Sequence, residues 1–182
     1  MDNTRAQKDL KLLGACMGND EGRAILALEE GGNPSETYSL PFATAAGKGW
    51  KLLCEMMVER GVRVGGLASE PLKNAVRGGH TDIVELILNQ GVAGEYRAWE
   101  AMVDAAGRNQ IDMVELLCGR LQFPKHTISL GIARTVWGDA PDTFRYLIDK
   151  PFEMDALMSG LRALDRRVDS PCGAPLIKES SR

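Results

Sequence analysis

Between Pro71 and Gly91, apolar residues recur at helical spacing in two blocks that are separated by the pair Gly78-Gly79. The glycines interrupt the first helical pattern, and a second pattern begins after His80. Gly91 follows the second block, at the position where a left-handed residue commonly ends a helix. The pattern therefore predicts a hairpin of two short helices.

This hairpin pattern recurs along the chain with a period of 30 residues. The small residue of the first helix and the glycine that ends the second recur in register, as Ala15, Ala45, Ala75 and Ala105 and as Gly31, Gly61 and Gly91. A period of this length indicates a solenoid, in which each unit buries its apolar face against its neighbours.

The segment from Pro71 to Gly91 closely resembles the ankyrin repeat, whose pattern is Pro-Leu-x-x-Ala, then Gly-His, then a run of aliphatic residues and a glycine. The matching residues here are Pro71-Leu72, Ala75, Gly79-His80 and Ile83-Val84. The resemblance implies an all-α, ankyrin-type helical repeat solenoid. Because the family's repeat is about 33 residues long and this one is shorter, we expect short inter-repeat loops in place of projecting fingers.

The repeat frame predicts one ankyrin-repeat domain over residues 1–167 and a flexible tail over residues 168–182. We expect five helix-turn-helix repeats and a C-terminal capping helix, at about residues 8–33, 38–63, 68–93, 98–122 and 126–151, and at 154–167. The cap carries Leu157, Leu161 and Leu164 on one stripe, which should cover the apolar end of the fifth repeat.

The fifth repeat departs from the frame in its first helix. Ala133, the small residue of that helix, follows Ala105 by only 28 residues. This spacing predicts that two residues have moved into the turn around Gly138. Two interpretations follow: a drifted terminal repeat, since end repeats are commonly atypical, or a remodelled end that shapes a pocket.

Composition excludes several classes of function. The 182 residues have a net charge of -3, which argues against a globally basic nucleic-acid binder. The charged N-terminus has no apolar core of a secretory signal, and no stretch is apolar enough to cross a membrane. The 4 cysteines form no Cys-x-x-Cys pair and there are only 2 histidines, so we expect no metal site, no disulfide framework and a cytoplasmic or nuclear protein.

Basic residues recur at the C-terminal ends of the first helices. In proteins with ankyrin repeats, this end of the helix borders the concave groove in which partners bind. One interpretation is that the basic residues complement the helix dipole; the other is a stripe that projects into the groove, with few buried contacts, and binds an acidic partner. The candidate partner-binding residues on these helices are Lys48, Lys73, Asn74, Arg77, Asp104 and Arg108.

Two aromatic residues extend this candidate site. Tyr96 and Trp99 lie near the start of the fourth repeat, and Trp and Tyr are enriched at binding hot spots. Trp99 either binds a partner or packs back on its loop as an anchor for the next helix.

These observations predict a non-catalytic protein-interaction module, an adapter, inhibitor or assembly factor that binds a protein partner in its concave groove. No phosphate-binding glycine loop or recognisable catalytic motif is present, so no catalytic residue and no cofactor is predicted. The alternative is a small enzyme or small-molecule binder with a pocket beside the fifth repeat. That pocket would be built from Asp104, Arg134, Trp137 and Tyr146.

Overall fold

The computed structural model describes residues 3–35, 40–62, 70–91 and 95–168, and these residues form helices and turns without a β-strand. The all-α prediction is confirmed. In chain order the helices are α1 (Asn3–Met17), α2 (Glu21–Glu29), α3 (Leu40–Lys48), α4 (Lys51–Glu59), α5 (Glu70–Gly78), α6 (Thr81–Asn89), α7 (Glu95–Gly107), α8 (Ile111–Arg120), α9 (Lys125–Gly138), α10 (Pro141–Ile148) and α11 (Met154–Val168). None of these helices is long and apolar enough to cross a membrane.

Three connections between hairpins, 36–39, 63–69 and 92–94, lie outside the described residues, and with them lies the prediction of short loops. The predicted tail lies outside them as well, apart from Val168, which is the last residue of α11. The connection between α8 and α10's partner helix α9 is described, and it consists of only four residues, 121–124.

The helices pack in two layers. The odd-numbered helices α1 to α11 each contact the next odd-numbered helix, and the even-numbered helices α2 to α10 do the same in a second layer. Within each hairpin the two helices also contact each other. We call the odd-numbered layer the first-helix layer and the even-numbered layer the second-helix layer.

The core repeats with the same period as the sequence. One position of each first helix is buried to at least 98%, and it is occupied by Leu12, Phe42, Leu72, Met102 and Ile132. These side chains lie between neighbouring hairpins, so each hairpin is held mainly by the hairpins next to it. Truncating one of these side chains to alanine would cost about 2–5 kcal/mol.

The turns inside the hairpins also keep the 30-residue period. One residue in each turn has φ between 49° and 78°, and these residues are Asn19, Gly49, Gly79, Asn109 and Asp139. Glycine, asparagine and aspartate are the residues that adopt this left-handed conformation most readily. The glycines Gly31, Gly61 and Gly91 that follow the second helices have positive φ too, as the sequence predicts.

The predicted change of spacing in the fifth repeat is wrong, because Thr135 and not Ala133 occupies the position of the small residue. The Thr135 carbonyl accepts a hydrogen bond from Ala140 N (3.0 Å), as the Ala105 carbonyl accepts one from Gln110 N (3.1 Å). No residues have moved into the turn. Threonine fits this buried position because its hydroxyl donates to a carbonyl of its own helix, that of Ile132 (2.7 Å).

Polar side chains tie each hairpin to the next. The ring nitrogen Nε2 of His80 lies 3.3 Å from the carbonyl oxygen of Gly47, one hairpin earlier. Asn109 caps α10 of the following hairpin, since its Oδ1 accepts hydrogen bonds from the backbone N–H groups of Asp142 (3.1 Å) and Thr143 (3.2 Å). α10 has no side-chain cap from its own N-cap residue Ala140, so Asn109 supplies this cap.

Helix α11 covers part of the fifth hairpin, as predicted from its leucine stripe. Leu157 is buried against the core, and the Ser129 hydroxyl on α9 donates to Glu153 O (2.9 Å) and accepts from Glu153 N (2.8 Å). The covering is partial, because Val136 is 56% exposed although the equivalent residues of the earlier hairpins, such as Ala106, are completely buried.

Candidate partner-binding cleft

A cleft crosses three neighbouring helices of the first-helix layer, α5, α7 and α9. Its volume is about 470 Å³. The residues that line it are Lys73 and Arg77 on α5, Trp99, Glu100, Val103 and Asp104 on α7, and His126, Thr127, Leu130 and Arg134 on α9. Four of the predicted partner-binding residues, Lys73, Arg77, Asp104 and Trp99, therefore lie in one cavity.

The floor of the cleft is apolar. Trp99 and Val103 on α7 and Leu130 on α9 line it, and Leu130 is 44% exposed although it is a large aliphatic residue. The Trp99 ring meets the His126 ring edge to face, with 5.5 Å between the centroids and an interplanar angle of 84°. Trp99 thus packs on the start of α9 and still lines the cavity, so the two interpretations of this residue do not exclude each other.

Most of the charges at the rim are paired across neighbouring helices. Lys73 Nζ lies 3.7 Å from Glu100 Oε2. Asp104 Oδ2 receives two arginines, with Arg77 Nε at 3.2 Å and Arg108 Nε at 3.4 Å. The Asp104 side chain is only 20% exposed, so the carboxylate lies behind the two guanidinium groups.

Arg134 is the remaining cation of the cleft. Its aliphatic stem lies across Gly107 on α7 so closely that a Cβ on that glycine would be 2.6 Å from Arg134 Cγ. Among the residues that the structure describes, no carboxylate forms an ion pair with Arg134, and its side chain is exposed.

Lys48 and Asn74 do not project into the cleft. Lys48 is half-buried, its Nζ donates to the carbonyl oxygen of Cys16 (2.7 Å), and it lies 4.7 Å from the centroid of the Trp50 ring. The expectation that the basic residues have few buried contacts is therefore wrong for Lys48. Cys16 lies in the last turn of α1, where carbonyl groups lack an intrahelical donor, and Lys48 supplies one.

Asn74 makes a similar contact between helices, since its Nδ2 donates to the carbonyl oxygen of Ala43 (3.2 Å). Its amide is therefore used within the solenoid. The side chain of Tyr96 lies outside the described residues, although its backbone is part of α7.

The four residues of the predicted alternative pocket do not come together in this cleft. Asp104 and Arg134 line it, but Trp137 and Tyr146 do not. Trp137 lies on α9 and is 42% exposed, whereas Tyr146 lies on α10 in the second-helix layer with Lys150 Nζ 4.5 Å from its ring centroid. The prediction of these four as one pocket is wrong because they lie on different layers.

Sequence reasoning missed Glu100, Val103, His126, Thr127 and Leu130 as residues of the cleft. A signal for Leu130 and Arg134 was present, since they follow Glu100 and Asp104 by exactly one period. The misplaced alignment of the fifth repeat hid this correspondence.

The cysteines of the described residues are not suited to catalysis. Burial raises the pKa of Cys16 to about 11 and that of Cys54 to about 12, and burial also raises the pKa of Cys118. These thiols stay protonated at neutral pH, and a thiol without its thiolate form is a poor nucleophile. The described part of the chain contains no group of three or more His, Cys, Asp and Glu side chains that could hold a metal ion.

No protein-family model matches this sequence, and no curated protein is significantly similar to it. What the cleft can bind therefore has to follow from the chemistry of its own lining residues.

Proposed function

We propose that this chain is a non-catalytic protein-interaction module of the ankyrin-repeat type, which binds a partner protein on its first-helix layer. The cleft of α5, α7 and α9 carries this proposal. It combines an apolar floor that contains tryptophan with arginines at its rim, and these residue types are enriched where binding energy is concentrated in protein interfaces.

Three features support the assignment to the ankyrin type. The hairpins keep a 30-residue period in their turn residues and in their buried core positions. The hairpins stack in two layers of helices. His80, at the position of the histidine in the repeat pattern, contacts the carbonyl of the preceding hairpin.

A role as adapter, inhibitor or assembly factor agrees with the way the charges of the cleft are used. The ion pairs of Asp104 and Glu100 join neighbouring helices, so they keep the rim in a defined shape before a partner arrives. A preorganised surface loses less conformational entropy on binding. We also propose the cytoplasm or nucleus as its location, because Cys16, Cys54 and Cys118 are unpaired thiols.

Affinity capture from an extract of the native cell, with two leucine variants, tests this function. Leu130→Arg places a charged side chain on the wall of the cleft. Leu52→Arg makes the same change at a leucine of α4, in the second-helix layer, that is 56% exposed. We expect proteins that the wild type and Leu52→Arg retain and Leu130→Arg loses, with unchanged helical circular dichroism for both variants. Retention by all three proteins alike would contradict binding at the cleft.

A small-molecule binder is the second candidate, and the size of the cleft favours it. A volume of about 470 Å³ lies within the range of roughly 300–1,000 Å³ that is usual for ligand pockets. Native mass spectrometry of protein purified from its own cell would detect such a ligand. A metabolite that stays bound to the wild type and is absent from Leu130→Arg would replace the protein partner as the preferred function.

A further inference from the structure

We infer that the partner segment in the cleft carries a carboxylate side chain next to a large apolar side chain, and that Arg134 binds the carboxylate. This inference rests on the proposed function. It names the chemistry of the partner at the α7–α9 end of the cleft, which nothing above assigns.

The first step is the way neighbouring first helices meet at one repeated contact. On α3 and α5 this contact joins Gly47 to Asn74, on α5 and α7 it joins Arg77 to Asp104, and on α7 and α9 it joins Gly107 to Arg134. The two residues of each pair are separated by 27 positions, so the three pairs are equivalent.

The second step is that this contact satisfies its polar group in the first two cases only. Asn74 donates to a backbone carbonyl of α3, and Arg77 pairs with the carboxylate of Asp104. At the third contact the arginine faces a glycine, which offers no side chain. Arg134 is therefore a cation whose equivalents are satisfied within the solenoid and which itself has no carboxylate partner among the described residues.

The third step is that Arg134 is held in place. Gly107 lets the arginine stem lie against α7, where any Cβ would also be 3.1 Å from Arg134 Nε and 3.2 Å from its Cδ. A stem that packs along a helix has already lost part of its rotamer freedom, so less entropy is lost when the guanidinium binds. The planar guanidinium can then bind one carboxylate through two parallel hydrogen bonds.

The fourth step is the apolar neighbour. Leu130 lies one helical turn before Arg134 on α9, and Trp99 and Val103 face it from α7 in the same cavity. An aliphatic or aromatic side chain of the partner would cover this floor while the adjacent carboxylate reaches Arg134. The carboxylates of Glu100 and Asp104 in the same wall oppose a phosphate chain or nucleic acid, because such polyanions would meet like charges there.

Selection of peptides from a random 12-residue display library tests the inference, with the full-length wild type as bait and Leu130→Arg as the counter-bait. Peptides that bind the wild type and not Leu130→Arg are cleft ligands. We expect these peptides to be enriched in Asp or Glu beside Leu, Met, Phe or Trp.

Two arginine variants then test the role of Arg134. Arg134→Gln should weaken the selected peptides by about tenfold or more, as is usual for a lost charge-assisted contact. The control Arg145→Gln removes an exposed arginine of α10 in the second-helix layer and should leave affinity unchanged. Replacing the peptide's carboxylate by its amide should weaken binding to the wild type and have little further effect on Arg134→Gln.

The outcomes separate the inference from the proposed function. Cleft ligands without an acidic residue, or affinities that Arg134→Gln leaves unchanged, would overturn the inference and leave a protein-binding cleft. A selection without any cleft-dependent peptide would overturn both.

Discussion

Replacing Gly138 by alanine tests how closely α7 and α9 pack, and this packing positions the cleft. Gly138 is the last residue of α9, and an added Cβ would lie 2.7 Å from the carbonyl carbon of Gly107 and 3.1 Å from its Cα. These atoms belong to the backbone of α7, so no side chain can move aside. To restore ordinary contact, the two helices would have to part by roughly 1 Å.

The cost follows from overpacking at a fixed contact. We expect Gly138→Ala to reduce the free energy of unfolding by about 1–3 kcal/mol. In a chain of 182 residues, each kcal/mol lowers Tm by about 2–4 °C, so Tm should fall by roughly 2–12 °C.

Gly119→Ala is the matched control, because Gly119 lies within α8 and an added Cβ would have no atom within 4 Å. Alanine is favoured over glycine in a helix by about 0.5–1 kcal/mol. Gly119→Ala should therefore raise Tm slightly. Thermal unfolding of both variants, followed by far-ultraviolet circular dichroism, gives the comparison. A Gly138→Ala protein as stable as Gly119→Ala would refute the close contact between α7 and α9.

Three further predictions concern the cap, the thiols and the end of the stack. Asn109→Ala loses the cap of α10 and puts alanine in a left-handed conformation, so it should cost about 2–3 kcal/mol in urea unfolding, whereas Asn109→Gly keeps the backbone conformation and should cost clearly less. Cys16 and Cys54 should resist alkylation by iodoacetamide at pH 8 until the chain unfolds, which peptide mapping would measure; rapid labelling of the native protein would contradict their burial. Because burial raises their pKa values to about 11 and about 12, folding should lose stability as pH rises above about 9, where unfolded thiols begin to ionise and folded ones do not. Truncation after Asp149 removes α11 and uncovers the apolar side of α9, so Tm should fall and association should increase in light scattering; an unchanged monomer would show that α11 is dispensable.

The periodic part of the fold was predictable from the sequence. Helix, turn and core positions depend on local propensity and on burial between identical neighbours, so they recur every 30 residues in residues such as Phe42, Leu72 and Met102. Positive φ likewise favours glycine and asparagine in the turns, and these residues are visible in the sequence. The sequence also indicated the layer that holds the cleft, because Lys73, Arg77, Asp104 and Trp99 belong to first helices.

The tertiary structure decided how individual polar side chains are used. Contacts between neighbouring first helices join residues 27 positions apart, as in the pair Arg77 and Asp104, and this offset depends on how the helices lie against each other. A 30-residue alignment compares equivalent positions and cannot show which residues touch. For this reason it placed Lys48 in the groove although Lys48 binds the end of α1, and it did not show that Arg134 lies against the bare backbone of Gly107.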